Sequence, residues 1–372
     1  LLHRLEGMFA LAIWDQRTGE VVLARDPAGE KPLYFLRGNG LVAFASALAP
    51  LLALHDRLPQ QLKPVKTKPN LSGWLMWGFG SVSDLCEAEE LAPNTAWSNQ
   101  HGHTVIKPQV AFQPHVRHES LSILQVQQLL ESSVAARIDS DVPLGAFLSG
   151  GVDSSLVCLL AHRIVPGLET FCVSMPSGPT SSARIKQAGN DESLFAQHAA
   201  NIIGSKHHTL PCEPAPAADL IHLITQIGLP LGDSSLLPTY WVSKAARAHI
   251  KVALSGDGAD ELFLGYDRHF AQEYLARYGR AMAAIPKAVI DSAFSHHKYS
   301  RLRRLIAASK GHGYPQIAAI LDHLQLNDLI GPAAWDLTTP IIVAWKEQGC
   351  MEGPDWDFYN YCLLYTSPSP RD

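Results

Sequence analysis

The feature that most constrains the fold of this chain is a glycine turn, LSGGVDSS at residues 148–155. The apolar stretch PLGAFL precedes it and the helical pattern SLVCLLAHRI follows, so the order strand, turn, helix is indicated. Without Cβ atoms, Gly150 and Gly151 let the backbone curl and approach an anion closely. The helix start adds unpaired N–H donors, and three serines add hydroxyls. The turn therefore predicts a pyrophosphate cradle, although a Gly-Gly pair taken alone is more often a plain tight connection.

Asp153 is the one carboxylate inside this turn, where it would repel phosphate groups. A divalent cation with oxygen ligands removes the conflict, so the sequence predicts Mg²⁺ beside Asp153. No lysine follows in the Walker A position, and no G-x-G-x-x-G pattern is present. The turn is therefore unlike the loops of P-loop kinases and dinucleotide-binding folds.

Three apolar strands, each followed by a glycine or polar turn, indicate a parallel α/β sheet around the cradle. They are predicted at residues 143–148, 170–175 and 251–254, with helices between them. A first helix is predicted to begin near Ser120, the candidate N-cap, because apolar residues within 123–134 recur at helical spacing. Ligands of such sheets bind beyond the carboxyl ends of the strands, which is where these turns fall.

A second turn, SGDGADE at residues 255–261, also follows an apolar strand. Asp257, Asp260 and Glu261 would repel one another in a plain surface turn, so a cation or a proton-accepting role accounts for them better. Taken alone, the cluster fits a solvated acidic loop with Glu261 in the first turn of a helix. Because both turns follow strands of one predicted sheet, we expect them to meet at its edge.

Residues 8–45 alternate short apolar runs with turn signals, a pattern typical of antiparallel β-hairpins. The runs FALAIW, VVLA, LYFL and LVAFA are too few to close a two-sheet core by themselves. Residues 51–116 lose this periodicity and are rich in proline, so we interpret them as a connection between domains. Trp74 and Trp77 within it are expected to pack in part, since their exposure to water is unfavourable.

The composition indicates a globular protein with small-molecule partners. Its 372 residues exceed one typical domain, and 47% hydrophobic residues suffice to fill ordinary cores. A net charge of −5 gives no cationic field for nucleic acid or a membrane, and no apolar run reaches the ~18 residues of a spanning helix. Scattered cysteines without C-x-x-C fit a reducing cytoplasm.

His207 and His208 are adjacent, so on a strand they point to opposite faces and make a poor metal pair.

Four segments carry a resemblance to a known family. SGGVDSS, SGDGADELFLGYDR, MFALAIWD and RDPAGEKPLYF resemble the glutamine-hydrolysing asparagine synthetases and their amidotransferase relatives, from Leu5 to about Phe270 and more loosely to Tyr361. The resemblance implies an α/β fold, in which a parallel-sheet ATP-pyrophosphatase domain of the adenine nucleotide alpha hydrolase type follows the C-terminal part of an antiparallel-β glutaminase domain. The implied boundaries are 1–55 for the partial glutaminase domain, 56–116 for the connection and 117–361 for the synthetase domain.

In that family, ATP adenylates a substrate carboxylate with release of pyrophosphate, and ammonia made from glutamine displaces AMP. For this chain the resemblance implies Mg²⁺ ligands at Asp153 and Asp260, and an amide-forming base at Asp257, where family members often have Glu. The attacking ammonia becomes cationic and must lose a proton, which a carboxylate can accept. The implied ATP-binding residues are Leu148, Ser149, Gly150, Gly151, Val152, Asp153, Ser154, Ser155, Val173, Ser255 and Gly256.

The sequence leaves the acceptor carboxylate open. Asp233 and Ser234 lie near the family's acceptor-binding segment, which here lacks the arginine of typical asparagine-forming enzymes. Aspartate is the first expectation, and a sugar acid of a surface polysaccharide or a β-lactam-type substrate is the alternative; Asp233 could equally be a helix N-cap. A nucleotide-binding module without turnover is a further alternative, which the intact Asp153, Asp257 and Asp260 disfavour. A homodimer is left open.

Both ends of the sequence suggest a longer parent protein. It begins with Leu1 rather than with the cysteine nucleophile of family glutaminases, and its first cysteine is Cys86. We therefore expect this stretch alone to bind ATP weakly and not to hydrolyse glutamine. The tail CLLYTSPSPRD at 362–372 resembles a translated sequencing adapter, the alternative being a natural disordered Ser/Pro tail.

Overall fold

The contacts of the computed structural model divide the chain into two compact units. The first comprises Leu1–Pro114, His222–Asp233 and Glu261–Asp372, and the second comprises His115–Ile221 and Ser234–Asp260. The structure describes residues 2–38, 40–64, 70–105, 122–174, 192–263, 265–286, 289, 299–312, 317, 319–321 and 323–331. The tail predicted to be foreign, at 362–372, lies outside the described residues, as does Ser120.

Within those residues the first unit contains two antiparallel sheets. Its strands are β1 (Ala10–Asp15), β2 (Glu20–Arg25), β3 (Tyr34–Gly38), β4 (Leu41–Ala45), β5 (Glu89–Glu90), β6 (Thr95–Ser98) and β7 (Gly102–Val105). One sheet has the order β1-β2-β6-β7 and the other the order β4-β3-β5. The four apolar runs of the sequence form β1 to β4, and β1/β2 and β3/β4 pair antiparallel. The antiparallel β fold predicted for this region is therefore confirmed.

The two sheets share an apolar cluster centred on Leu23, Phe35 and Trp97, which are almost fully buried. The rings of Phe35 and Trp97 lie 5.1 Å apart between centroids, within the usual range for aromatic pairs. Side chains two residues apart on a strand share a face, so the alternate residues Tyr34 and Leu36 pack into a second cluster with Leu48. The core of this unit thus lies on both faces of β3.

A buried polar turn follows β2. The Asp26 carboxylate accepts backbone N–H groups from Ala28, Glu30 and Lys31. The Arg25 guanidinium, only 5% exposed, donates to three carbonyls and one carboxylate, those of Gly29, Lys31, Leu91 and Glu90. Four of the five N–H donors of this planar group are thus hydrogen-bonded inside the fold, which is why it tolerates burial.

The segment interpreted as a connection is more ordered than its composition suggested. β5 pairs with β3, β6 with β2, and β7 with β6, so the segment adds strands to both sheets. Trp74 and Trp77 are buried, as predicted. Strands of two to four residues between prolines and glycines carry too little alternation to be recognised in a sequence. Residues 106–121, where the predicted boundary falls, lie outside the described residues.

The second unit is built on a four-stranded parallel sheet. Its strands are β8 (Leu144–Phe147), β9 (Glu169–Ser174), β10 (Lys206–Pro211) and β11 (Val252–Leu254), in the order β10-β9-β8-β11. All neighbouring pairs are parallel, which confirms the predicted α/β fold and its three predicted strands. The edge strand β10, KHHTLP, was not predicted because its polar residues hide the strand pattern.

Helices cover both faces of this sheet. The described α-helices of the chain are α1 (Leu48–Arg57), α2 (Ser72–Trp77), α3 (Ile123–Ala135), α4 (Val152–Ile164), α5 (Glu192–Ile203), α6 (Pro216–Ile227), α7 (Leu236–Ala246), α8 (Ala259–Phe263), α9 (Asp267–Ala283), α10 (Ser300–Ala307) and α11 (His323–Ile330). Short 3-10 turns occupy Leu2–Arg4, Gln60–Leu62 and Val82–Asp84, and a π-helical turn occupies Ala308–His312. None of the helices in the described ranges is long and apolar enough to cross a membrane.

Adjacent residues of β9 face opposite cores. Cys172 packs with α3, α4 and α5, whereas Phe171 packs with the end of α7 and with Ile250. Helix α3 begins with Ser122 as N-cap, and Ser122 and Gln125 cap each other reciprocally. The helix therefore starts about two residues later than predicted from Ser120, because the capping box at Ser122 supplies acceptors for its first N–H groups.

Candidate functional site

The turn between β8 and α4 lies where the sequence predicted it, between a strand and a helix. Gly150 adopts φ +84°, and a Cβ there would lie 2.5 Å from the carbonyl carbon of Phe195. Only glycine fits this position without strain or displacement. Gly151 is the N-cap of α4 and has no side chain to satisfy the first N–H groups of the helix, so they are available to an anion.

Serine hydroxyls fix the shape of this turn. Ser149 Oγ and Ser154 Oγ lie 2.9 Å apart, and the Gly151 N–H donates to Ser149 Oγ at 3.3 Å. Ser154 is 8% exposed and its hydroxyl also approaches the Gly151 carbonyl at 3.3 Å. Ser155 begins the regular hydrogen bonding of α4 through its N–H to Gly151 O. The turn is therefore held in shape by its own side chains before any ligand binds.

The second turn follows β11 and leads into α8. Ser255 Oγ donates to Asp257 Oδ2 at 2.9 Å, and the Ala259 N–H donates to the Gly256 carbonyl at 3.3 Å. Gly258 adopts φ +91°, a conformation that favours glycine. Asp257 is exposed and Asp260 is half-buried. The turn thus presents one carboxylate to solvent and keeps the other partly enclosed.

The two turns meet, as the sequence predicted. A Cβ added at Gly256 would lie 2.7 Å from the Ser154 amide nitrogen and about as close to the Asp153 backbone. Burial, and next the negative charge of Asp260, raise the pKa of the Asp153 carboxyl above its ordinary value. The Asp153 and Asp260 carboxylates, from opposite turns, are therefore close enough for their charges to interact, and a cation between them would relieve the repulsion.

The residues predicted to border the nucleoside lie at the same edge of the sheet. Leu148 is 1% exposed, and its N–H donates to the Phe171 carbonyl at 2.9 Å. Val173 is half-buried near the carboxyl end of β9, paired with Leu210. Val152, the first residue of α4, is 81% exposed. Parallel strands place these residues beside the phosphate turn because their carboxyl ends share an edge.

The predicted acceptor residues precede α7. Asp233 is half-buried and Ser234 is exposed. The N-cap of α7 is Ser235, so the alternative reading of Asp233 as this helix's N-cap is wrong. Asp233 belongs to the first unit and Ser234 to the second, and their role in acceptor binding stays a prediction.

The two adjacent histidines have packing roles on opposite faces of β10. His207 Nδ1 lies 3.0 Å from Thr170 Oγ1 and its Nε2 lies 3.3 Å from Cys172 Sγ. The His208 ring stacks on Phe171 at 5.0 Å. Among the described residues, no group of three or more His, Cys, Asp or Glu side chains is arranged to hold a metal ion.

Glu261 is buried, with 6% of its surface exposed. The alternative that the sequence disfavoured, a solvated acidic loop with Glu261 at the start of a helix, therefore does not describe this residue. Its Oε1 accepts a hydrogen bond from the Tyr266 hydroxyl at 2.8 Å, and its buried Oε2 has no hydrogen-bond partner among the described residues. The hydrogen-bond partner of this buried carboxylate, Tyr266, lies five residues further along the chain, beyond the end of α8.

Two protein-family models match the chain. The model described as asparagine synthase matches residues 125–330, and the model described as a glutamine amidotransferase domain matches residues 1–53. The amidotransferase match covers β1 to β4, and the asparagine synthase match covers all four strands of the parallel sheet, whereas β5 to β7 lie between the two matches.

Similar curated proteins carry related names. A putative glutamine-hydrolysing asparagine synthetase of Mycobacterium tuberculosis is 33% identical over 281 residues, covering 72% of this chain and 40% of the relative. Glutamine-hydrolysing asparagine synthetase 1 of Bacillus subtilis is 30% identical over 296 residues, covering 78% of this chain and 44% of the relative. A putative glutamine-hydrolysing asparagine synthetase of Methanocaldococcus jannaschii is 28% identical, with 51% of its length covered. The chain thus spans about half the length of these relatives or less.

Proposed function

Because the chain belongs to the asparagine synthase family, we propose that it carries the ATP-dependent half of a glutamine-dependent amidotransferase. The proposed reaction converts a carboxylate, with aspartate as the first candidate, into an amide and releases AMP and pyrophosphate. The observation that carries the proposal is the contact between the two turns at residues 148–155 and 255–260. It brings an anion cradle, a pair of carboxylates and an exposed carboxylate to one edge of the sheet.

ATP is proposed to bind with its phosphates at the first turn. The free N–H groups at the start of α4 and the hydroxyls of Ser149, Ser154 and Ser155 are suitable donors for them. Leu148 and Val173 are proposed to border the adenosine. The close approach of Gly256 to Ser154 supports a nucleotide contact from the second turn, through the backbone of Ser255 and Gly256.

Asp153 and Asp260 are proposed to hold Mg²⁺. The fit rests on their donor chemistry, since two carboxylates with phosphate oxygens suit Mg²⁺, which needs no all-protein cage. The raised pKa of Asp153, caused by burial and by Asp260, supports this assignment because a cation would relieve both effects. When bound, Mg²⁺ would neutralise charge on the phosphates and on departing pyrophosphate.

The chemistry proceeds in two proposed steps. An acceptor carboxylate oxygen attacks the α-phosphorus of ATP, and the bond to the pyrophosphate oxygen breaks. Ammonia then attacks the acyl carbon, Asp257 accepts its surplus proton, and AMP leaves with the electrons of the carbon–oxygen bond. The position of Asp257 supports this role, because its side chain is exposed to solvent and it lies three residues before the proposed Mg²⁺ ligand Asp260.

Glutamine is proposed as the source of ammonia, through the amidotransferase domain to which residues 1–53 are similar. The residues that hydrolyse glutamine are not assigned to this chain. A cytoplasmic location and a homodimer stay predictions.

The decisive experiment supplies the full-length protein with ATP, Mg²⁺, glutamine and aspartate, and measures nucleotide products. We expect AMP and pyrophosphate in equal amounts with asparagine. Formation of ADP and phosphate instead would contradict the proposal. An Asp153→Asn variant should lose pyrophosphate release, whereas Ser132→Ala, an exposed helix serine outside the site, should retain it.

A different acceptor is the second candidate, because the segment LGDSSLLPTY lacks an arginine that would pair with a second carboxylate. A panel of sugar acids and amino acids, scored by pyrophosphate release, separates these cases. A nucleotide-binding module without turnover predicts that Asp257→Ala changes nothing measurable. Loss of amide formation with retained ATP binding would support the enzyme instead.

A further inference from the structure

The Ser255 hydroxyl has a partner that its proposed role at the nucleotide does not explain. It donates to Asp257 Oδ2 at 2.9 Å, across a single intervening glycine. Bonds of a hydroxyl to a carboxylate are charge-assisted and stronger than bonds between neutral groups. The bond therefore restricts the rotation of the Asp257 side chain over its own turn.

The backbone of the same turn is fixed from the other side. Gly256 lies so close to α4 that an added Cβ would fall 2.7 Å from the Ser154 amide nitrogen. The turn is thus seated on the helix that begins the phosphate cradle. Together, the glycine contact fixes the turn on the helix, and the serine bond fixes the carboxylate on the turn.

A hydroxyl carries one proton, and here Asp257 takes it. While that bond persists, Ser255 can accept hydrogen bonds but cannot donate one to a phosphate. A contact from this position to the nucleotide would then come from the backbone or from an oxygen lone pair. The side chain is therefore better suited to orienting Asp257 than to binding phosphate.

We propose that Ser255 is a positioning residue for the amide-forming step, an inference that rests on the proposed function. Its hydroxyl holds Oδ2 of Asp257, which leaves Oδ1 to accept the proton lost by the attacking ammonia. An aspartate needs such a restraint because its carboxylate must stay in reach of the nucleophile, and small displacements of a base cost much of its effect.

The test uses the full-length protein with Ser255→Ala and Ser255→Thr. A rate and a product ratio are measured at saturating ATP, Mg²⁺ and acceptor, with ammonium chloride as nitrogen source. The first is acceptor-dependent exchange of labelled pyrophosphate into ATP, which needs adenylation but no base. The second is the amount of amide formed per pyrophosphate released.

We expect Ser255→Ala to lose about tenfold in amide per pyrophosphate and to lose much less in exchange rate, because any contact from Ser255 to the nucleotide would come from its backbone. Ser255→Thr, which retains the hydroxyl, should restore most of the amide. An equal fall of exchange and amide formation in Ser255→Ala would overturn the inference, because it indicates a nucleotide contact. An unchanged amide ratio would overturn it too. Absence of exchange in the unaltered protein would instead refute the proposed adenylation itself.

Discussion

Replacing Gly150 by alanine tests whether the phosphate turn has the described geometry. Two costs follow from the structure. Positive φ, here +84°, costs an alanine about 1 to 2 kcal/mol relative to glycine. The added Cβ would also fall 2.5 Å from the Phe195 carbonyl carbon and 2.8 Å from the Ala196 nitrogen, which are backbone atoms of α5 and cannot rotate away.

Overpacking of this kind costs about 1 to 3 kcal/mol. Alanine also lowers the conformational entropy of the unfolded chain, which stabilises the folded protein by about 0.4 to 1 kcal/mol. The net destabilisation expected for Gly150→Ala is therefore about 1 to 4.5 kcal/mol. With an m value of about 2 kcal/mol per molar urea, the unfolding midpoint should fall by about 0.5 to 2 M.

The neighbouring Gly151→Ala is the matched control. Gly151 has φ −68°, and the nearest atom to its added Cβ is the Ser149 Oγ at an ordinary 3.4 Å. The loss of a glycine N-cap and the gain in chain stiffness are both small and opposed, so stability should change by about 0.5 kcal/mol or less. Equal midpoints for the two variants, at an unchanged m value, would refute the described turn.

Four further predictions use other parts of the molecule. Asp153→Asn should stabilise the metal-free protein at pH 7, because burial and the Asp260 carboxylate raise the pKa of Asp153 and so disfavour its charged form in the folded state. In urea titrations this gain in stability should vanish below about pH 4, where the wild-type carboxyl is protonated in both the folded and the unfolded state. Burial lowers the pKa of His207, so the folded state favours the neutral ring and the protein loses stability as pH falls. His207→Gln should lose less stability than the wild type between pH 7 and pH 5 in urea titrations. An equal loss of stability in the two proteins would contradict this prediction. Burial raises the pKa of Cys158 to about 12, so iodoacetamide at pH 8 should modify it only after unfolding, as followed by peptide mass spectrometry. Arg25→Lys should cost about 2 to 4 kcal/mol in urea unfolding because a lysine cannot reproduce the planar set of hydrogen bonds, whereas exposed Arg17→Lys should cost about 0.5 kcal/mol or less.

Local patterns predicted the parts of the fold that local forces determine. The hairpin runs of the first unit and strands β8, β9 and β11 were recognisable because alternation and glycine turns are short-range signals. The meeting of the two turns was also predictable, since it follows from parallel strands that share an edge. The N-cap of α3 was misplaced by two residues, although Gln125 after Ser122 carried the correct signal.

Features that depend on distant partners could not be predicted. Strand β10 exists because its backbone pairs with β9, while its own residues KHHTLP have no strand pattern. The same holds for β5, whose two glutamates pair with β3 across a long stretch of chain. The bond from Ser255 to Asp257 is local, but its presence depends on side-chain rotamers that composition does not determine.

The strand order of the parallel sheet has a consequence for folding during synthesis on the ribosome. β8 pairs with β11, yet the two turns that follow them are separated by about 100 residues of chain. At 5 to 20 residues per second, the glycine turn is synthesised roughly 5 to 20 s before its partner turn. During that interval the growing chain contains the residues of the glycine turn but not Asp257 or Asp260. The contact between the two turns can therefore form only after β11 and its turn have been synthesised.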